Sequence, residues 1–433
     1  MKSRLTMFSG SAMLMLAGIG ANLNAASVPT FSKDVAPIIY QNCATCHRAG
    51  EMAPMSLLTY KDARPWAKSI RQYVATGKMP PWHATEPHGY FLNDRRLSEA
   101  DKETLIAWAD GGAPEGDAKD LPPAPKFVEG WQIGKPDVVL TMPKRFDVPA
   151  KGTIDYQYFT IPTNFTEDKW VQAMEIRPGT RSVVHHIIVY MKLPEGTPEE
   201  TAFVQVLPMM PQRNRPNDGG AAKNRQAGPG VMLAGTAPGA PPMVFQPGDA
   251  VRIPAGASLI FQVHYTANGT AAEDQSSIGL IFAKQPPQRE IFTRAFFNPM
   301  LKIPAGVSDQ AIDSAIEFPE DAHITSLIPH THLRGKSWEY RLIYPDGRSE
   351  VVLEVPHYDF NWQTWYTFAK PLAVPKGSRL EATAHYDNSV NNPSNPDPKV
   401  DVRWGDQTWQ EMQYTGITYY VDHSAPTNAT AAK

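Results

Sequence analysis

Both cysteines of this 433-residue chain lie within five residues, in Cys43-Ala44-Thr45-Cys46-His47. This C-x-x-C-H spacing is the attachment signature of a c-type haem, because two thiols three positions apart can form thioethers to one porphyrin while the adjacent imidazole binds the iron. A structural zinc site is the alternative, but it needs further ligands of matching spacing and the sequence has no second C-x-x-C. The motif therefore predicts one covalent haem c held by Cys43, Cys46 and His47.

The second axial ligand of that haem is predicted to be Met79. It lies in Gly77-Lys78-Met79-Pro80-Pro81-Trp82, a proline-stiffened loop after a predicted helix, and His/Met ligation is common in cytochromes c. Met52 and Met55 are alternative ligands, and a methionine is often a core residue instead.

Five histidines after residue 130 have spacings that suit a metal. In His330-Thr331-His332, residues i and i+2 share a strand face and can direct two imidazoles at one ion. The adjacent pair His185-His186 would point to opposite faces of a regular strand, so joint ligation requires a strand end or a local distortion. His264 adds a third imidazole on an apolar segment of the same predicted domain, and three imidazoles suit copper or zinc.

For the other histidines, the sequence favours ordinary hydrogen bonding over metal binding or catalysis, since isolated histidines are versatile polar residues. These are His83, His88, His323, His357, His385 and His423.

Helical periodicity surrounds the C-x-x-C-H motif between Ser32 and Gly112. Apolar residues recur at helical spacing before the motif and again before Gly77, and Ser98-Glu99-Ala100-Asp101 resembles a capping box at the start of a third helix. This pattern predicts a small all-α cytochrome c domain.

After about Gly130 the pattern changes to short apolar runs separated by Pro and Gly turns, which predicts two all-β antiparallel sandwich domains of jelly-roll-like type. The predicted strands are Asp137–Thr141, Val183–Met191, Leu259–Ala267, Ile278–Phe282, Trp338–Tyr344, Glu350–Val355, Arg379–Tyr386 and Tyr414–Val421.

The predicted organisation begins with a secretory signal at 1–26, where basic residues precede an apolar stretch that ends in small residues. A cytochrome c domain at 27–112, a linker at 113–129, sandwiches at 130–287 and 288–424, and a disordered tail at 425–433 follow. These segments predict an exported, periplasmic or extracellular protein without a membrane span in the mature chain, the alternative being a signal retained as an anchor.

Composition excludes one class of partner. The net charge is −3, and basic residues are interspersed with acidic ones along the chain, so nothing indicates nucleic-acid binding. Once the haem takes both thiols, no disulfide can form within the chain.

Four segments of the β-region resemble the type II copper, ascorbate-dependent monooxygenases, the family of peptidylglycine α-hydroxylating monooxygenase and dopamine β-monooxygenase. They are Val183-Val184-His185-His186-Ile187, Gln262-Val263-His264-Tyr265, Pro329-His330-Thr331-His332-Leu333 and Gln410-Glu411-Met412. The resemblance implies one electron-transfer copper on His185, His186 and His264, and one oxygen-binding copper on His330, His332 and Met412. The second set contains a thioether, a soft ligand that favours Cu(I) over zinc.

Two positions depart from the peptide-hydroxylating branch of that family. Its substrate-binding arginine and tyrosine are replaced here by Ile328 and Gly416. Peptidylglycine is therefore not the expected substrate, and the sequence leaves the substrate open.

The resemblance implies a monooxygenase that hydroxylates a C–H bond of a small organic substrate with O2, with ascorbate or a redox protein as external electron donor. We hypothesise that the haem replaces or relays ascorbate, and that Gln262, beside His264, is a polar link on the electron path. The alternatives are a non-oxygenating haem-copper electron carrier, a copper-binding module and a redox sensor.

Overall fold

The structure is a computed structural model that describes residues 27–51, 53, 55–197, 204–206, 229–237 and 239–421, with only the backbone of 204–206. The predicted signal at 1–26 and the predicted tail at 425–433 lie outside these residues, as do Met52 and His423.

Residues 31–120 contain all the helices of the described chain. The four α-helices are α1 (Ala36–Asn42), α2 (Tyr60–Ala63), α3 (Ala67–Ala75) and α4 (Glu99–Asp110). A π-helix lies at Phe31–Val35, and short 3-10 helices lie at Arg64–Trp66 and Ala118–Asp120. The predicted cap of α4 is present, because the Ser98 hydroxyl accepts a hydrogen bond from the Asp101 N–H at 3.1 Å. Gly77 follows α3 with a φ of +68°, a conformation that glycine adopts without strain.

Residues 138–421 are built from strands, as the sequence predicts. In chain order they are β1 (Val138–Thr141), β2 (Phe146–Val148), β3 (Gln157–Pro162), β4 (Lys169–Arg177), β5 (Val184–Lys192), β6 (Val204–Val206), β7 (Val231–Thr236), β8 (Met243–Val244), β9 (Asp249–Ile253), β10 (Ser258–Tyr265), β11 (Ala272–Asp274), β12 (Ser277–Phe282), β13 (Arg289–Glu290), β14 (Phe292–Phe297), β15 (Lys302–Ile303), β16 (Gln310–Glu317), β17 (Ala322–His330), β18 (Gly335–Ile343), β19 (Ser349–Val355), β20 (Tyr366–Val374), β21 (Arg379–Tyr386), β22 (Val402–Arg403) and β23 (Tyr414–Val421).

Two pairs of sheets enclose two apolar cores. In the first sandwich, one sheet has the strand order β1-β12-β4-β9-β13, with β8 paired to β4. The other sheet has the order β3-β10-β5-β7. The second pair has orders β14-β23-β17-β20 and β19-β18-β21-β16-β6. Nearly all strand pairs are antiparallel, and β13 with β9 is parallel.

The four-stranded sheets of the two sandwiches face each other, and strand alternation explains how each serves two purposes. On β5, Ile187 and Val189 lie in the first core, whereas His186 and Tyr190 lie on the opposite face. Tyr190 belongs to a separate apolar cluster that also contains Met412 and residues of β17 and β23. One face of each strand thus builds a core, and the other builds the contact between the sandwiches.

Two segments cross the predicted domain boundaries. Strand β6, from the first sandwich segment of the chain, pairs with β16 of the second sandwich. Trp82 and Phe91, from the predicted cytochrome segment, pack on Tyr366 of the second sandwich with ring centroids 5.0 and 5.5 Å away. Parts of the chain that are distant in sequence therefore complete the second sandwich. Strand β6 extends one of its sheets, and Trp82 and Phe91 cover apolar surface on it.

None of the helices in the described part of the chain has the length and apolar character needed to cross a membrane.

Candidate metal centre

The structure brings His185, His186 and His264 together through a β-bulge. His264 on β10 lies opposite His186 on β5, but the next residue, Tyr265, lies opposite Val184. His185 is therefore the extra residue of the bulge, which re-aims its side chain. This is the local distortion that the adjacent pair requires.

The three imidazoles are close enough to hold one ion. Their ligand atoms all lie within 4.8 Å of one another, and Nδ1 of His185 lies 3.0 Å from Nδ1 of His186. Nitrogens bound to one ion at about 2.0 Å in tetrahedral geometry are about 3.3 Å apart. Nδ1 of His264 is also buried and has no hydrogen-bond partner. Buried polar atoms normally have partners, so this lone position fits a bound metal.

Burial keeps these imidazoles neutral, which is the form that binds metal. It lowers the pKa of His185 to about 4 and the pKa of His264 to about 3. The pKa of His186 also falls well below its ordinary value, because of burial and the neighbouring histidines.

His330 and His332 form a second, fully buried cluster at the end of β17, with ring centroids 5.2 Å apart. Nδ1 of His332 lies 3.2 Å from the Gln410 carbonyl, a partner that requires a proton on Nδ1 and leaves Nε2 available. That Nε2 is buried and has no partner. Burial lowers the pKa of His330 to about 4, so this imidazole too is neutral.

Met412 lies just before β23 and is 9% exposed. It borders a cavity of about 10 Å³, the Met412 cavity, together with His186, Gln262, His330 and Tyr414. The residues of the second predicted ligand set therefore lie in one region of the interface between the sandwiches.

Glu411 holds the His330-Thr331-His332 segment and is a residue that sequence reasoning missed. Its buried carboxylate accepts hydrogen bonds from the backbone N–H groups of His332 and Arg334, each at 2.7 Å. Burial raises the pKa of Glu411 to about 8, although these backbone donors act in the opposite direction. A glutamate beside a predicted ligand gives no sequence signal of this role, because its partners lie 77 and 79 positions away.

Gln363 joins the two histidine clusters, and this contact was also missed. With the amide in the orientation given, its Nε2 donates to Nδ1 of His186 at 3.2 Å, and its Oε1 accepts from Nδ1 of His330 at 3.0 Å. The ring centroids of those two histidines are 6.3 Å apart. Phe360 lies between the clusters, stacked on His185 at 5.1 Å and 5.9 Å from His332.

Gln262 is buried and donates to the Tyr158 hydroxyl at 2.7 Å. It contacts the Met412 cavity rather than the solvent. Tyr156, another neighbour of the cluster, lies 4.8 Å from the His264 ring.

The C-x-x-C-H segment lies beside the first histidine cluster. A cavity of about 130 Å³, the Cys46 cavity, is bordered by Cys46, Arg95, Arg181, His185 and His186. A salt bridge crosses this region from Arg181, before β5, to Glu51 at 2.7 Å.

The geometry at His47 fits an iron ligand. Its Nδ1 lies 3.3 Å from the Met55 carbonyl, so a proton on Nδ1 leaves Nε2 free for the iron. Burial raises the pKa of the Cys43 thiol to about 12, where it packs against the helical core.

The predicted axial ligand Met79 and its alternative Met55 lie in different surroundings. This residue is half-buried in the turn after α3, where its N–H donates to the Tyr73 carbonyl at 3.2 Å. Met55 packs against the helical core instead. Met79 therefore remains the predicted axial ligand. Met55 is the alternative ligand that lies within the described residues.

Several of the remaining histidines have ordinary partners. Nδ1 of His385 lies 2.8 Å from an Asp309 oxygen, and Nε2 of His88 lies 3.6 Å from Glu354. His323 stacks on Tyr420 at 4.9 Å.

Comparison with known families supports a copper oxygenase. Residues 308–431 match the model of the copper type II ascorbate-dependent monooxygenase C-terminal domain. This range contains the second histidine cluster and Met412, and it covers less than a third of the chain.

Comparisons with whole proteins add nothing to that match. No curated protein matches the chain at a significant level. Among solved structures, the major capsid protein P2 of bacteriophage PM2 is 12% identical, with 67% of this chain and 98% of that chain covered and a TM-score of 0.28. Allantoicase from Saccharomyces cerevisiae is 8% identical, with coverages of 63% and 80% and a TM-score of 0.18. Likeness this weak carries no information about function.

Proposed function

We propose that this chain is an exported, haem- and copper-containing monooxygenase that hydroxylates a C–H bond of a small organic substrate with O2. The observation that supports it most is the contact between two neutral, buried histidine clusters at the interface of two sandwiches. One of these clusters lies in the region that matches the copper monooxygenase domain.

In this proposal His185, His186 and His264 hold one copper, and His330, His332 and Met412 hold the other. Bound copper supplies one-electron redox chemistry and the activation of O2. The chain's own residues fix the ligands: the Gln410 carbonyl and the Gln363 amide orient His332 and His330. Glu411 accepts hydrogen bonds from the backbone N–H groups of His332 and Arg334. Such partners of metal ligands set their tautomer and orientation.

The haem would be attached to Cys43 and Cys46, with His47 as one iron ligand and Met79 as the predicted second. The Cys46 cavity places this motif next to His185 and His186. Electrons from an external donor, ascorbate or a redox protein, would enter through this motif and be passed on singly, and tethering keeps the donor at high effective concentration.

The overall reaction balances with one substrate, one O2, two electrons and two protons. A C–H bond breaks and a C–O bond forms, and the second oxygen atom leaves as water with two protons. The external donor is oxidised by two electrons per turnover.

Oxygen uptake tests this function, with haem reduced by excess ascorbate and a panel of small organic compounds as substrates. His330→Ala should abolish uptake coupled to a hydroxylated product while leaving haem attachment intact. His385→Ala, whose imidazole pairs with Asp309 at the surface, is the matched control and should retain both. Full coupled activity in His330→Ala would contradict the assignment.

A non-oxygenating haem-copper electron carrier is the second candidate, and the small cavities favour it. The two cavities that border His330 have volumes of about 10 and 20 Å³, less than an organic substrate needs. A carrier would pass electrons from haem to copper without consuming O2 in a product-coupled way, so the same uptake assay separates the two candidates.

A further inference from the structure

A series of neighbouring cavities connects the C-x-x-C-H segment with the second histidine cluster. The largest is the Cys46 cavity, of about 130 Å³, and the smallest is the Met412 cavity, of about 10 Å³. A third cavity, of about 20 Å³, borders Trp365 and is called the Trp365 cavity. His186 borders all three, and His330 borders the two smaller ones. The cavities therefore lie side by side, and the Trp365 cavity adjoins both of the others.

The end of strand β7 forms a thin wall between the Cys46 cavity and the Trp365 cavity. Gly235, Thr236 and Ala237 border both volumes. A Cβ on Gly235 would lie 3.7 Å from Trp365 Nε1 and 3.8 Å from Met232 Cε, so the missing side chain leaves space beside Trp365. Strand β7 is also at the edge of its sheet, with β5 as its one neighbour in the strand order. A glycine on an edge strand has no side chain to pack, which makes it a weak point in the wall.

The volume of the Trp365 cavity determines which molecules can pass through it. A volume of about 20 Å³ holds one molecule about the size of water. A diatomic gas therefore fits, whereas an organic molecule does not. The Cys46 cavity is several times larger, so the narrow part of the series lies next to the second histidine cluster.

The side chains around the Trp365 cavity suit an apolar gas. Met232, Ile328 and Trp365 border it and belong to one buried apolar cluster. The rival entrance is the Met412 cavity, which is half as large and is bordered by the exposed Asp406. Because an apolar molecule moves favourably from water into apolar surroundings, O2 should favour the side of the Trp365 cavity over the side of Asp406.

We propose that O2 reaches the second histidine cluster from the Cys46 cavity by passing Gly235 into the Trp365 cavity. Gly235 sets the width of this route, and Met232, a flexible side chain, moves aside as the gas passes. The route supplies the enclosed cluster with O2 separately from the organic substrate. This inference rests on the proposed function for the statement that O2 is consumed beside His330.

Carbon monoxide tests the route in the full-length, reduced holoprotein, because it is a diatomic gas that binds Cu(I) without turnover. Its infrared stretch distinguishes copper-bound from haem-bound gas. Stopped-flow mixing with CO gives the association rate, and dilution into CO-free buffer gives the dissociation rate. The band that is absent from His330→Ala belongs to the second cluster and is the one to follow.

Two variants narrow the route and a third is the control. Gly235→Ala should slow CO association and dissociation roughly threefold, and Gly235→Val roughly tenfold, since added methyl groups obstruct a closely packed wall. The dissociation constant should stay unchanged, because a barrier along the route alters both rates by the same factor. Ala311→Val adds methyl groups at an exposed position of strand β16 and should change neither rate.

Unchanged CO rates in both Gly235 variants, or a changed affinity without an equal change in both rates, would overturn the inference. Failure of the proposed copper site gives a different result, namely no copper-bound CO band in the wild type. Crystals pressurised with krypton, an inert gas that X-rays locate, then test the route without copper. Krypton should occupy the Cys46 and Trp365 cavities of the wild type and should be lost from the Trp365 cavity in Gly235→Val. A wild-type Trp365 cavity that takes up no krypton would also overturn the inference.

Discussion

The two histidine clusters are built in different ways although they touch. The first uses a bulge in two paired strands, and its half-buried His185 borders the cavity shared with Cys46. The second lies at a strand end, is fully buried and is held by the carboxylate of Glu411. The first cluster thus borders a cavity that reaches the C-x-x-C-H segment, and the second is enclosed at the interface between the sandwiches.

Loss of the Glu411 carboxylate should have the largest effect on stability and should affect only the second cluster. Glu411→Ala leaves the N–H groups of His332 and Arg334 buried without an acceptor, which we expect to cost roughly 3 kcal/mol in free energy of unfolding. Denaturant unfolding and metal analysis measure the result, which should be loss of copper from the second cluster only. Glu411→Gln retains one acceptor and should lose less. Loss of both coppers in folded Glu411→Ala would show that the clusters are not built independently.

Acid should destabilise the metal-free protein through both clusters. The folded pKa values of His185, His264 and His330 are about 4, 3 and 4, below the ordinary value near 6.5. The unfolded chain therefore binds more protons as pH falls, so stability is fully present above about pH 6.5 and is lost towards pH 4.

Thermal unfolding of the metal-free protein across this pH range checks the sign. His264→Ala should flatten the dependence, and His385→Ala, at a surface ion pair, should leave it nearly unchanged. A melting temperature that rises as pH falls from 6.5 to 4 would contradict the buried neutral state.

Gln363→Leu should have a moderate effect, and it should reach both clusters. It removes the hydrogen bonds to His186 and His330, which we expect to cost roughly 1 to 2 kcal/mol. Copper spectra should change at both clusters, because the change reaches a ligand of each. A change at only one cluster would show that Gln363 does not join them in solution.

Arg181→Ala should have the smallest effect on stability, below about 1 kcal/mol, since its salt bridge to Glu51 is partly exposed. Rapid mixing should nevertheless show slower reoxidation of prereduced haem when copper is loaded, because the contact between the C-x-x-C-H segment and the first sandwich is loosened. Arg348→Ala removes an exposed pair with Asp346 in the β18–β19 turn of the second sandwich, and its reoxidation rate should equal that of the wild type.

Local features of the fold could be predicted from the sequence. Strands Arg379–Tyr386 and Tyr414–Val421 have the predicted bounds, because apolar alternation and turn residues report local structure. The need for a distortion at His185-His186 followed from strand geometry alone, and a bulge is present there.

Contacts between distant segments could not be predicted. Gln363 and Phe360 lie in an irregular segment without periodicity, and their roles depend on how the two sandwiches pack. The same is true of Trp82 on the second sandwich and of β6 beside β16. Residue spacing along the chain carries no record of such pairings.

Metal analysis of the full-length protein tests the central claim most directly. The account predicts one iron and two coppers per chain in the wild type, and one iron and one copper in both His264→Ala and His330→Ala. Zinc in either cluster, or a copper content unchanged by both substitutions, would contradict it.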